Sequence, residues 1–457
     1  MYEPSLFRAY DIRGTYPDQF NEEVAYAVGQ AFVAVTGAKK VVVGRDVRPS
    51  GVKLQEALIQ GVLEAGADAI QVGVISTEML YFASGTLDCD GGMSLTASHN
   101  PKEWNGVKFI GKDGQAFTKD GELGKMYEWV QSGQKLAAEK KGTLSDFDLL
   151  SAYVTYLKER LPTVERPMRI VANVNFGANG KVVDRVVDGL PVELIRLNWN
   201  EDGSFPKGSP DPLLPENRTE IEQTVVAQGA AFGVAWDADA DRAFFYDEKG
   251  RAFPGSYIIA MLATHFLNEA PGASILHEPR VIWATLDAIK LGGGTAIAAR
   301  TGHGFIKQAM REHQARFGGE NSGHFYYQDF WYCDNGMITF LTVLGIFAAT
   351  HAGDGRVSGL LDYYLAKYPV SEEINFTTDR AAEIMAVAKT TYAAGTLDEL
   401  DGVSIAFPDW RFNLRMSNNE PLLRLNLETR GDRPGLEKHQ QELIDFIQSF
   451  GAMRRND

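Results

Sequence analysis

The chain has 457 residues, with 45 Lys and Arg against 60 Asp and Glu, so its formal charge is −15. At about 150 residues per domain this length predicts roughly three domains, and a hydrophobic content of 44% excludes disordered, collagen-like and small disulfide-rich proteins. The acidic balance argues against a nucleic acid or an anionic membrane as partner, because both would be repelled.

Three features predict a cytoplasmic protein. Cys89 and Cys333 form no CxxC pair, which fits a reduced compartment and excludes a thiolate zinc site. The first eight residues contain an acid and a proline but no apolar core, so no secretory signal is visible. The most apolar stretch, Met337 to Thr350, is shorter than the ~20 residues of a membrane helix and predicts a buried helix.

The first region alternates strands and helices, as a parallel sheet requires. The predicted elements are a strand at Val41–Gly44, a helix at Val52–Ala65, a strand at Ala69–Val72, a helix at Thr77–Ser84 and a strand at Gly91–Leu95. Residues 46–50, between the first of these strands and the first helix, are interpreted as a turn. The charged patch at residues 131–141 is interpreted as a solvated helix end or linker.

The same alternation then returns twice. The second run has strands at Met168–Ala172, Val192–Leu197 and Ala231–Trp236 with helices at Gly180–Leu190 and Pro215–Gln228. The third run has helices at Ser256–Leu267, before Leu291 and after Gly302, with strands at Arg280–Trp283 and Thr295–Ala298.

From Pro369 the pattern changes to α+β. We predict a helix from Asp379, strands around Val403–Phe407 and Leu422–Leu427, and a helix at Pro434–Phe450. The fold class is therefore α/β, with three consecutive α/β domains that have mixed sheets and a C-terminal α+β domain around a central cleft. The domain boundaries are expected at 1–148, 149–250, 251–368 and 369–457.

The first loop with chemical potential is Thr96 to Pro101, which follows the strand that ends at Leu95. Ligands bind at the carboxyl ends of parallel strands, and Ser98 there could act as a nucleophile or phosphate carrier. A hydrolase is disfavoured because GxSxG is absent and because His99, adjacent in sequence, is expected to be poorly placed as a base for Ser98. The alternative is an Asx-Pro turn in which the serine caps a helix.

The second loop, residues 237–242, places Asp237, Asp239 and Asp241 directly after a strand. Carboxylates at alternate positions repel one another unless a cation neutralises them, and oxygen ligands suit Mg²⁺. A calcium EF-hand is disfavoured because Arg242 replaces the required glycine and a strand precedes the loop. Arg242 is well suited to clamping a phosphate.

Two further loops contain polar groups that can bind a sugar phosphate. Residues 318–324 provide a carboxylate, a hydroxyl and an imidazole for sugar hydroxyls, although a plain glycine-rich turn is an alternative. Residues 411–421 combine arginine with small polar donors and predict a phosphate-binding loop, with an ordinary hairpin turn as the alternative.

Taken in this order, the loops resemble the α-D-phosphohexomutase superfamily, specifically its phosphomannomutase/phosphoglucomutase branch. The resemblance runs from the segment at residues 7–14 to Arg415, and the pairing of the serine loop with DxDxDR is its most specific part. It implies four domains around a central cleft and a serine that carries a phosphoryl group.

The resemblance also implies roles for individual residues. The implied catalytic residues are Ser98 as the phosphoserine, Lys108, Arg242, His303 and Arg13. The implied metal ligands are Asp237, Asp239, Asp241 and the phosphate on Ser98. The implied substrate-binding residues are Tyr10, Arg280, Glu320, Ser322, His324, Arg415, Ser417, Asn418 and Asn419.

The sequence departs from the family pattern at several of these positions. Asn419 replaces a threonine but still donates a hydrogen bond, and Arg280 stands where many relatives have a lysine. Asn321 replaces a methionine and is similar to the glutamine of phosphoglucosamine mutases, whereas Asn418 differs from their glycine.

The implied reaction interconverts hexose 1-phosphate and hexose 6-phosphate, of mannose or glucose or both, with Mg²⁺ as cofactor and hexose 1,6-bisphosphate as intermediate and activator. Lys108 and His303 are alternative proton acceptors. A phosphoglucosamine mutase and a non-catalytic phosphosugar-binding protein are the competing functions. We expect a small phosphosugar as substrate and a monomer or small homo-oligomer; an NAD-linked enzyme is disfavoured because no GxGxxG follows the early strands.

Overall fold

The computed structural model describes residues 3–353, 355–417 and 422–455. The chain divides into two compact units: the first comprises Met1–Ala252 and His324–Asp354, and the second comprises Phe253–Gly323 and Gly355–Asp457. Each unit is described by itself.

The α-helices, in chain order, are α1 (Glu22–Thr36), α2 (Gly51–Glu64), α3 (Thr77–Thr86), α4 (Glu122–Gln131), α5 (Leu149–Lys158), α6 (Gly180–Val187), α7 (Pro215–Ala227), α8 (Gly255–Glu269), α9 (Trp283–Leu291), α10 (His303–His313), α11 (Gly336–Ala352), α12 (Val357–Lys367), α13 (Ala381–Thr391) and α14 (Arg433–Gln448). The strands are β1 (Asp11–Thr15), β2 (Lys40–Arg45), β3 (Asp68–Val74), β4 (Gly91–Leu95), β5 (Trp104–Gly111), β6 (Leu144–Asp146), β7 (Met168–Asn173), β8 (Val192–Leu197), β9 (Phe232–Trp236), β10 (Ala243–Asp247), β11 (Ser274–His277), β12 (Thr295–Ala298), β13 (Phe317–Gly319), β14 (Phe325–Tyr327), β15 (Cys333–Asp334), β16 (Ile374–Thr377), β17 (Thr396–Asp398), β18 (Val403–Ala406), β19 (Trp410–Met416), β20 (Leu422–Thr429) and β21 (Met453–Arg454).

The first sheet of the first unit has the strand order β1-β5-β4-β2-β3-β6. Strand β2 pairs in parallel with β3 and β4, and β3 pairs in parallel with β6. Strand β5 is antiparallel to both of its neighbours, β1 and β4. The predicted strands and helices of this region are all present, and Val41, Val42 and Val43 are fully buried, as a strand covered on both faces requires. The order reverses between β2 and β4, which makes the loops after these two strands a natural ligand site.

Five elements of this region were not predicted: β1, α1, β5, α4 and β6. Helix α1 buries Val24, Val28 and Phe32, which are four residues apart and so lie on one face. Asn21 caps its N-terminus, since the Asn21 side chain accepts a hydrogen bond from the amide of Val24 at 3.2 Å.

The second sheet of the first unit has the order β10-β9-β7-β8, in which β7, β8 and β9 are parallel and β10 is antiparallel to β9. Residues 237–242 connect β9 to β10, so a hairpin holds the aspartate loop and the helix-loop-helix of an EF-hand is excluded. The backbone comes very close here, because a Cβ on Gly177 would collide with the carbonyl of Ala238. The predicted buried helix is also present, as α11.

In the second unit, β12, β11 and β13 form a parallel arrangement. The prediction of a strand at Arg280–Trp283 is wrong: the strand is β11, and α9 already begins at Trp283. The apolar residues Val281 and Ile282 resemble a strand in sequence. However, Glu428 accepts hydrogen bonds from the amides of Ile282 at 2.8 Å and Trp283 at 3.0 Å, so its carboxylate satisfies two free donors at the helix start.

Arg411 provides a second link to the same segment. Its guanidinium pairs with Glu428 at 2.9 Å and donates to the carbonyls of Pro279 and Arg280, each at 2.8 Å. The segment that leads into α9 is therefore held by side chains from β19 and β20, more than 120 residues later in the chain.

The last sheet, β17-β18-β19-β20-β16-β21, is antiparallel throughout. The helices α13 and α14 cover it, and Phe412, Leu425 and Leu443 are fully buried in the shared core. Residues 411–421 were predicted as one tight loop, but β19 continues to Met416, so Arg415 lies on a strand; residues 418–421 lie outside the described ranges. Cross-strand pairing with β20 satisfies the backbone over this stretch.

Within the described ranges, no single helix has the length and apolarity needed to cross a membrane. Only the consecutive helices α11 and α12, counted together, meet that test of length and composition.

Candidate active site

Ser98 follows β4 in a turn and has a left-handed backbone with φ of 50°. Its Oγ lies 3.1 Å from Asp237 Oδ2 and 3.1 Å from His99 Nδ1, and its amide donates to Thr96 Oγ1 at 2.9 Å. No helix follows the turn, so the interpretation of Ser98 as a helix cap is wrong. The serine hydroxyl instead points at the aspartate cluster.

The expectation that His99 would be badly placed relative to Ser98 is also wrong. The left-handed backbone at Ser98 turns both side chains to one side, and the imidazole contacts the serine hydroxyl. The ring is 38% exposed, and its partial burial, together with the nearby Arg242 charge, lowers the pKa of His99 below its ordinary value. The imidazole is therefore neutral near pH 7.

The three aspartates of the second loop lie together in the first unit. Asp237, Asp239 and Asp241 are buried, and their carboxylates offer ligand atoms within 4.8 Å of one another. Thr77 Oγ1 donates to Asp239 at 2.7 Å. Burial raises the pKa of Asp237 to about 7, although the Arg242 guanidinium acts in the opposite direction. Such a concentration of negative charge calls for cations.

Lys108, on β5, supplies one of these cations. Its ammonium donates to Asp239 at 2.7 Å and to Asp241 at 2.5 Å. Burial would lower the pKa of Lys108, but these two carboxylates raise it above its ordinary value. Conversely, burial would raise the pKa of Asp239 and Asp241, and the ammonium outweighs this effect and lowers both. The lysine and the two aspartates are thus ionised together.

Arg242 supplies the second cation. Its Nε donates to Asp237 Oδ2 at 2.9 Å, and its Nη1 lies 3.6 Å from Asp211. The Nη2 atom has no hydrogen-bond partner among the described residues. A buried guanidinium with an open donor, beside the serine hydroxyl, is suited to an anionic oxygen.

His324 lies against the same cluster in the first unit. Its Nε2 is 3.6 Å from Asp241 Oδ1 and 3.9 Å from Asp334 Oδ2. Its backbone also pairs with that of Arg242.

Arg13, on β1, connects the opening segment to the serine loop. It pairs with Asp11 at 2.7 Å and donates to Asn100 Oδ1 at 2.7 Å and to the carbonyl of Ala97 at 3.4 Å. Tyr10 directly precedes β1 and is partly buried. Both residues are therefore part of, or next to, the strand that borders β5.

The aspartate cluster fits a hard divalent cation. Its donors are carboxylate oxygens, and neither Asp239 Oδ1 nor Asp241 Oδ1 has a hydrogen-bond partner within the described part of the chain. Ser98 Oγ lies at hydrogen-bond distance from the third carboxylate. Buried carboxylate oxygens without partners are costly, and a cation such as Mg²⁺ would satisfy them.

The second unit brings together a different set of predicted residues. Glu278, which was not predicted, accepts hydrogen bonds from Arg280 Nε at 2.9 Å and from the side chain of Asn321. Thr301 Oγ1 also donates to it at 3.3 Å. Glu320 Oε1 accepts from the amide of Gly302 at 2.8 Å. The predicted sugar loop and the segment that leads into α10 are therefore fixed to one another.

Three arginines form a basic cluster in the second unit: Arg280, Arg415 and Arg424. Glu373 joins two of them, at 3.2 Å from Arg280 and 3.0 Å from Arg424. Burial, with the neighbouring Arg280 charge, lowers the pKa of Arg415. Arg280 Nη2, Arg415 Nε and Arg424 Nε have no hydrogen-bond partners in the ranges that the structure describes. Open guanidinium donors in a buried site favour a phosphate group.

The remaining predicted residues fall near this cluster or outside the described ranges. Ser417 Oγ lies 3.4 Å from Arg424 Nη2. His303 is the first residue of α10, directly after Gly302, and Ser322 follows Asn321 in the sugar loop. Asn418 and Asn419 lie outside the described residues.

Several functional residues were missed by sequence reasoning. Arg48 and Asp46 were assigned to a plain turn, although charged residues after the strand beside β4 were a usable signal. Arg424 and Glu373 were not singled out. An arginine between leucines on a predicted strand could have been recognised, whereas Glu373 is a surface-type residue that carried no signal.

The chain matches four profiles of one family over most of its length. They are described as phosphoglucomutase/phosphomannomutase alpha/beta/alpha domain I at residues 4–132, domain II at 151–250, domain III at 254–368, and the C-terminal domain at 373–446. The expected fold class, three α/β domains followed by a C-terminal α+β domain, is thereby confirmed.

Individual proteins give the same picture. The chain is 38% identical over 458 residues to a phosphomannomutase of Escherichia coli, which covers 98% of this chain and 100% of that protein. It is 39% identical over 445 residues to a protein of Xanthomonas campestris pv. campestris named phosphohexose mutases, with 96% and 98% covered. A crystal structure of a phosphoglucomutase/phosphomannomutase family protein from Burkholderia thailandensis matches with a TM-score of 0.89 at 28% identity, covering 98% of each chain.

Proposed function

Because the chain belongs to the phosphoglucomutase/phosphomannomutase family and is a hexose phosphate mutase, we propose that it interconverts the 1- and 6-phosphates of mannose, glucose or both through a phosphoserine at residue 98. The observation that carries this proposal is the place of Ser98 Oγ, 3.1 Å from Asp237 within a buried carboxylate cluster that Lys108 and Arg242 neutralise. The family establishes an intramolecular phosphotransferase; the phosphoserine and the sugar are our proposal.

Two phosphoryl transfers make up the proposed reaction. In the first, the Oγ–P bond of phospho-Ser98 breaks while the free sugar hydroxyl forms a new O–P bond and releases its proton, which yields a hexose 1,6-bisphosphate. The bisphosphate then turns by half a rotation. In the second, Ser98 Oγ takes the other phosphoryl group, and the released sugar oxygen regains a proton. Charge on the transferred group is the main obstacle to both steps.

The first unit supplies the positive charge for these transfers. Arg242 has an open Nη2 donor beside the serine, and Lys108 provides an ammonium. Asp237, Asp239 and Asp241 would hold Mg²⁺, which when bound stabilises charge on the transferring phosphoryl group. Arg13 holds the serine loop through Asn100 and the carbonyl of Ala97.

The second unit supplies recognition of the substrate. Arg280, Arg415 and Arg424 would bind the phosphate that does not react, with Ser417 beside them. Glu320 and Ser322 would bind sugar hydroxyls, which both orientations of the intermediate present. The ligand class is a small phosphosugar, and hexose 1,6-bisphosphate would act as activator because it restores a phosphate lost from Ser98.

Two groups compete for the role of proton acceptor. Lys108 is a protonated ammonium held by two carboxylates in the first unit, so it can accept a proton only after it has lost its own, and His303 begins α10 in the second. The variants Lys108→Met and His303→Asn separate them, because the loss of the true acceptor removes one limb of the pH profile of kcat.

The test is a side-by-side assay of mannose 1-phosphate, glucose 1-phosphate and glucosamine 6-phosphate with Mg²⁺ and a bisphosphate activator. We expect turnover of mannose or glucose phosphate, an intact mass heavier by one phosphoryl group, and loss of both in Ser98→Ala. The control is Ser84→Ala, a buried serine whose hydroxyl donates only to its own helix at Tyr81. An active, unphosphorylated Ser98→Ala variant would refute the phosphoserine.

A phosphoglucosamine mutase is the second candidate, and Asn321 is the observation that favours it. The Asn321 side chain is bound to Glu278, which places a carboxylate and an amide together in the sugar loop. If the enzyme prefers glucosamine 6-phosphate over the phosphates of both neutral sugars, its activity is that of a phosphoglucosamine mutase.

A further inference from the structure

Arg48 is a fully buried arginine that none of the proposed steps uses. It follows β2, the strand that lies beside β4 in the first sheet. The loops after these two strands meet where the strand order reverses. Arg48 thus lies directly beside the serine loop, although it is 50 residues earlier in the chain than Ser98.

The guanidinium of Arg48 is bound almost entirely by that loop. Its Nη2 donates to the carbonyls of Ser98 at 2.9 Å and Asn100 at 2.7 Å. Its Nη1 donates to the carbonyls of Pro101 at 2.6 Å and Trp104 at 3.0 Å. The fifth donor, Nε, pairs with Asp46 at 3.0 Å. An arginine has five side-chain N–H donors, so no donor is left for a substrate.

Ser98 needs such an external constraint. Its φ of 50° lies in the left-handed region, which is unfavourable for a non-glycine residue and persists only where neighbouring groups fix it. The carbonyl of Ser98 is one of the four that Arg48 binds. The same conformation turns Ser98 Oγ towards Asp237 and His99.

We infer that Arg48 is a positioning residue for phosphoryl transfer: it fixes the backbone of the serine loop so that Ser98 Oγ faces the carboxylate cluster. This inference rests on the proposed phosphoserine. Arg48 acts through Ser98 and does not touch the substrate. The Phe205 ring, 4.9 Å from the guanidinium carbon, and the Asp46 carboxylate keep the guanidinium plane in place.

A lysine cannot replace Arg48 in this role. An ammonium is a compact charge with three donors, whereas the planar guanidinium reaches four carbonyls in a fixed plane. The charge would survive in Arg48→Lys but the geometry would not. Because a misplacement of the reacting atom by about 1 Å can cost about 100-fold in rate, the expected loss lies in kcat.

The experiment compares Arg48→Lys with Arg45→Lys in the full-length enzyme, phosphorylated by incubation with glucose 1,6-bisphosphate. Arg45 is the matched control because it precedes the same turn and donates only to the carbonyl of Asp46. We expect Arg48→Lys to lower kcat by about 10- to 100-fold with KM changed by less than about 3-fold. The ³¹P resonance of the phosphoserine should shift in Arg48→Lys and stay in place in Arg45→Lys.

Two outcomes would overturn the inference: a wild-type kcat in Arg48→Lys, or a rate loss that follows only the fraction of unfolded protein while the ³¹P resonance is unchanged. If Arg48→Lys does not fold, Asp46→Asn is the substitute variant. It keeps all four contacts of Arg48 with carbonyls but holds the guanidinium plane less firmly. We then expect a smaller loss of kcat together with a shifted ³¹P resonance. If the wild-type enzyme carries no phosphate on Ser98, the proposed function itself fails, and that result is separate from the behaviour of Arg48.

Discussion

The two units concentrate opposite charges and hold them differently. In the first unit, three buried aspartates surround a lysine and an arginine with contacts of 2.5 to 2.9 Å. In the second, Glu373 pairs with Arg424 at 3.0 Å and with Arg280 at 3.2 Å, and these two arginines and Arg415 each have a guanidinium nitrogen without a hydrogen-bond partner in the described ranges. In the first arrangement, buried carboxylates and cations pair mainly with one another and leave carboxylate oxygens for a metal cation, whereas the second offers open donors to an anion from outside.

This difference separates two requirements of a mutase. Groups that stabilise a transferring phosphoryl group act best when they are fixed beforehand. In the proposed reaction, groups that hold the other phosphate must release it, because the proposed bisphosphate turns between the two transfers. We therefore expect substitutions in the first unit to lower kcat and substitutions in the second to change KM.

The largest effect is expected for Asp239→Asn in the first unit. The change removes a charge from the proposed cation site and leaves Lys108 with a single carboxylate. We expect kcat to fall by about 1000-fold or more, with KM changed little. The measurement is steady-state kinetics across a Mg²⁺ titration.

Asp247→Asn is the control for this variant, since Asp247 is also buried and pairs with Arg251 at 2.7 Å. It should keep a normal kcat if it folds. A large rise in KM with intact kcat in Asp239→Asn would contradict the division between the units.

The next effect is expected for Arg424→Lys in the second unit. Lysine keeps the charge but loses the bidentate geometry of guanidinium with phosphate. We expect KM to rise by roughly 10- to 100-fold and kcat to change by less than about 5-fold. Arg433→Lys, in an exposed ion pair with Glu437, is the control. An unchanged KM would remove Arg424 from the binding site.

Glu373→Gln is expected to act in the opposite direction. Its carboxylate competes with a ligand phosphate for Arg280 and Arg424, so its removal should tighten the binding of inorganic phosphate and of hexose 1,6-bisphosphate. We expect KM to fall by about 3- to 10-fold, with a similar fall in kcat because release slows. Weaker phosphate binding, measured by isothermal titration, would show that Glu373 orders the arginines and does not compete.

The smallest effect concerns the pH dependence of stability. In the first unit, burial raises the pKa of Glu78 to about 8, above the ~4.3 of an unfolded glutamate. Between these values the native state keeps a proton that the unfolded chain has lost, so this group lowers stability as pH rises. The free energy of unfolding of Glu78→Gln, compared with that of the wild type, should therefore be higher at pH 8 than at pH 5. The expected difference is on the order of a few kcal/mol at most.

In the second unit, Glu373 should contribute to the pH dependence of stability with the opposite sign. The pKa of Glu373 is lowered, since the charges of Arg280 and Arg424 outweigh the rise due to burial. Its contribution is present above the unfolded pKa and is lost as pH falls through the folded pKa. Urea unfolding measures the contrast, at pH 5 and pH 8 for Glu78→Gln and at about pH 3 and pH 6 for Glu373→Gln, because the contribution of Glu373 changes only below the unfolded pKa of about 4.3. Effects of the same sign on the pH slope in the two variants would contradict it.

The sequence was sufficient to predict the strands that recur regularly along the chain and the polar loops that follow them. Apolar runs predicted β2, β4 and β9, and the polar loops after β4 and β9 predicted Ser98 and the three aspartates. The structure brings Ser98 within hydrogen-bond reach of one of them, Asp237. The left-handed turn at Ser98 could not be predicted, because nothing in a serine requires positive φ. The contact with His99 was missed for that reason.

Residues that act across long stretches of chain were harder to predict. Arg48 and Glu373 contact partners that the topology brings near them from distant segments; the position of Arg48 after β2 gave a local signal, whereas Glu373 had none. The strand predicted at Arg280–Trp283 failed similarly, since the start of α9 is fixed by Glu428 from β20. Local pattern predicts elements, and tertiary contacts decide their ends.

The cap that Glu428 provides for α9 also bears on how the chain can be divided. A fragment that stopped at the predicted domain boundary near residue 368 would lose Glu428 and Arg411 together. The first turn of α9 and the carbonyls of Pro279 and Arg280 would then be left without these partners. Expression of the third domain alone should give an unstable product, and protease nicking of the intact protein should leave the two parts associated. The second unit should therefore be expressed together with its C-terminal sheet. The same holds if this unit is exchanged with that of a related protein.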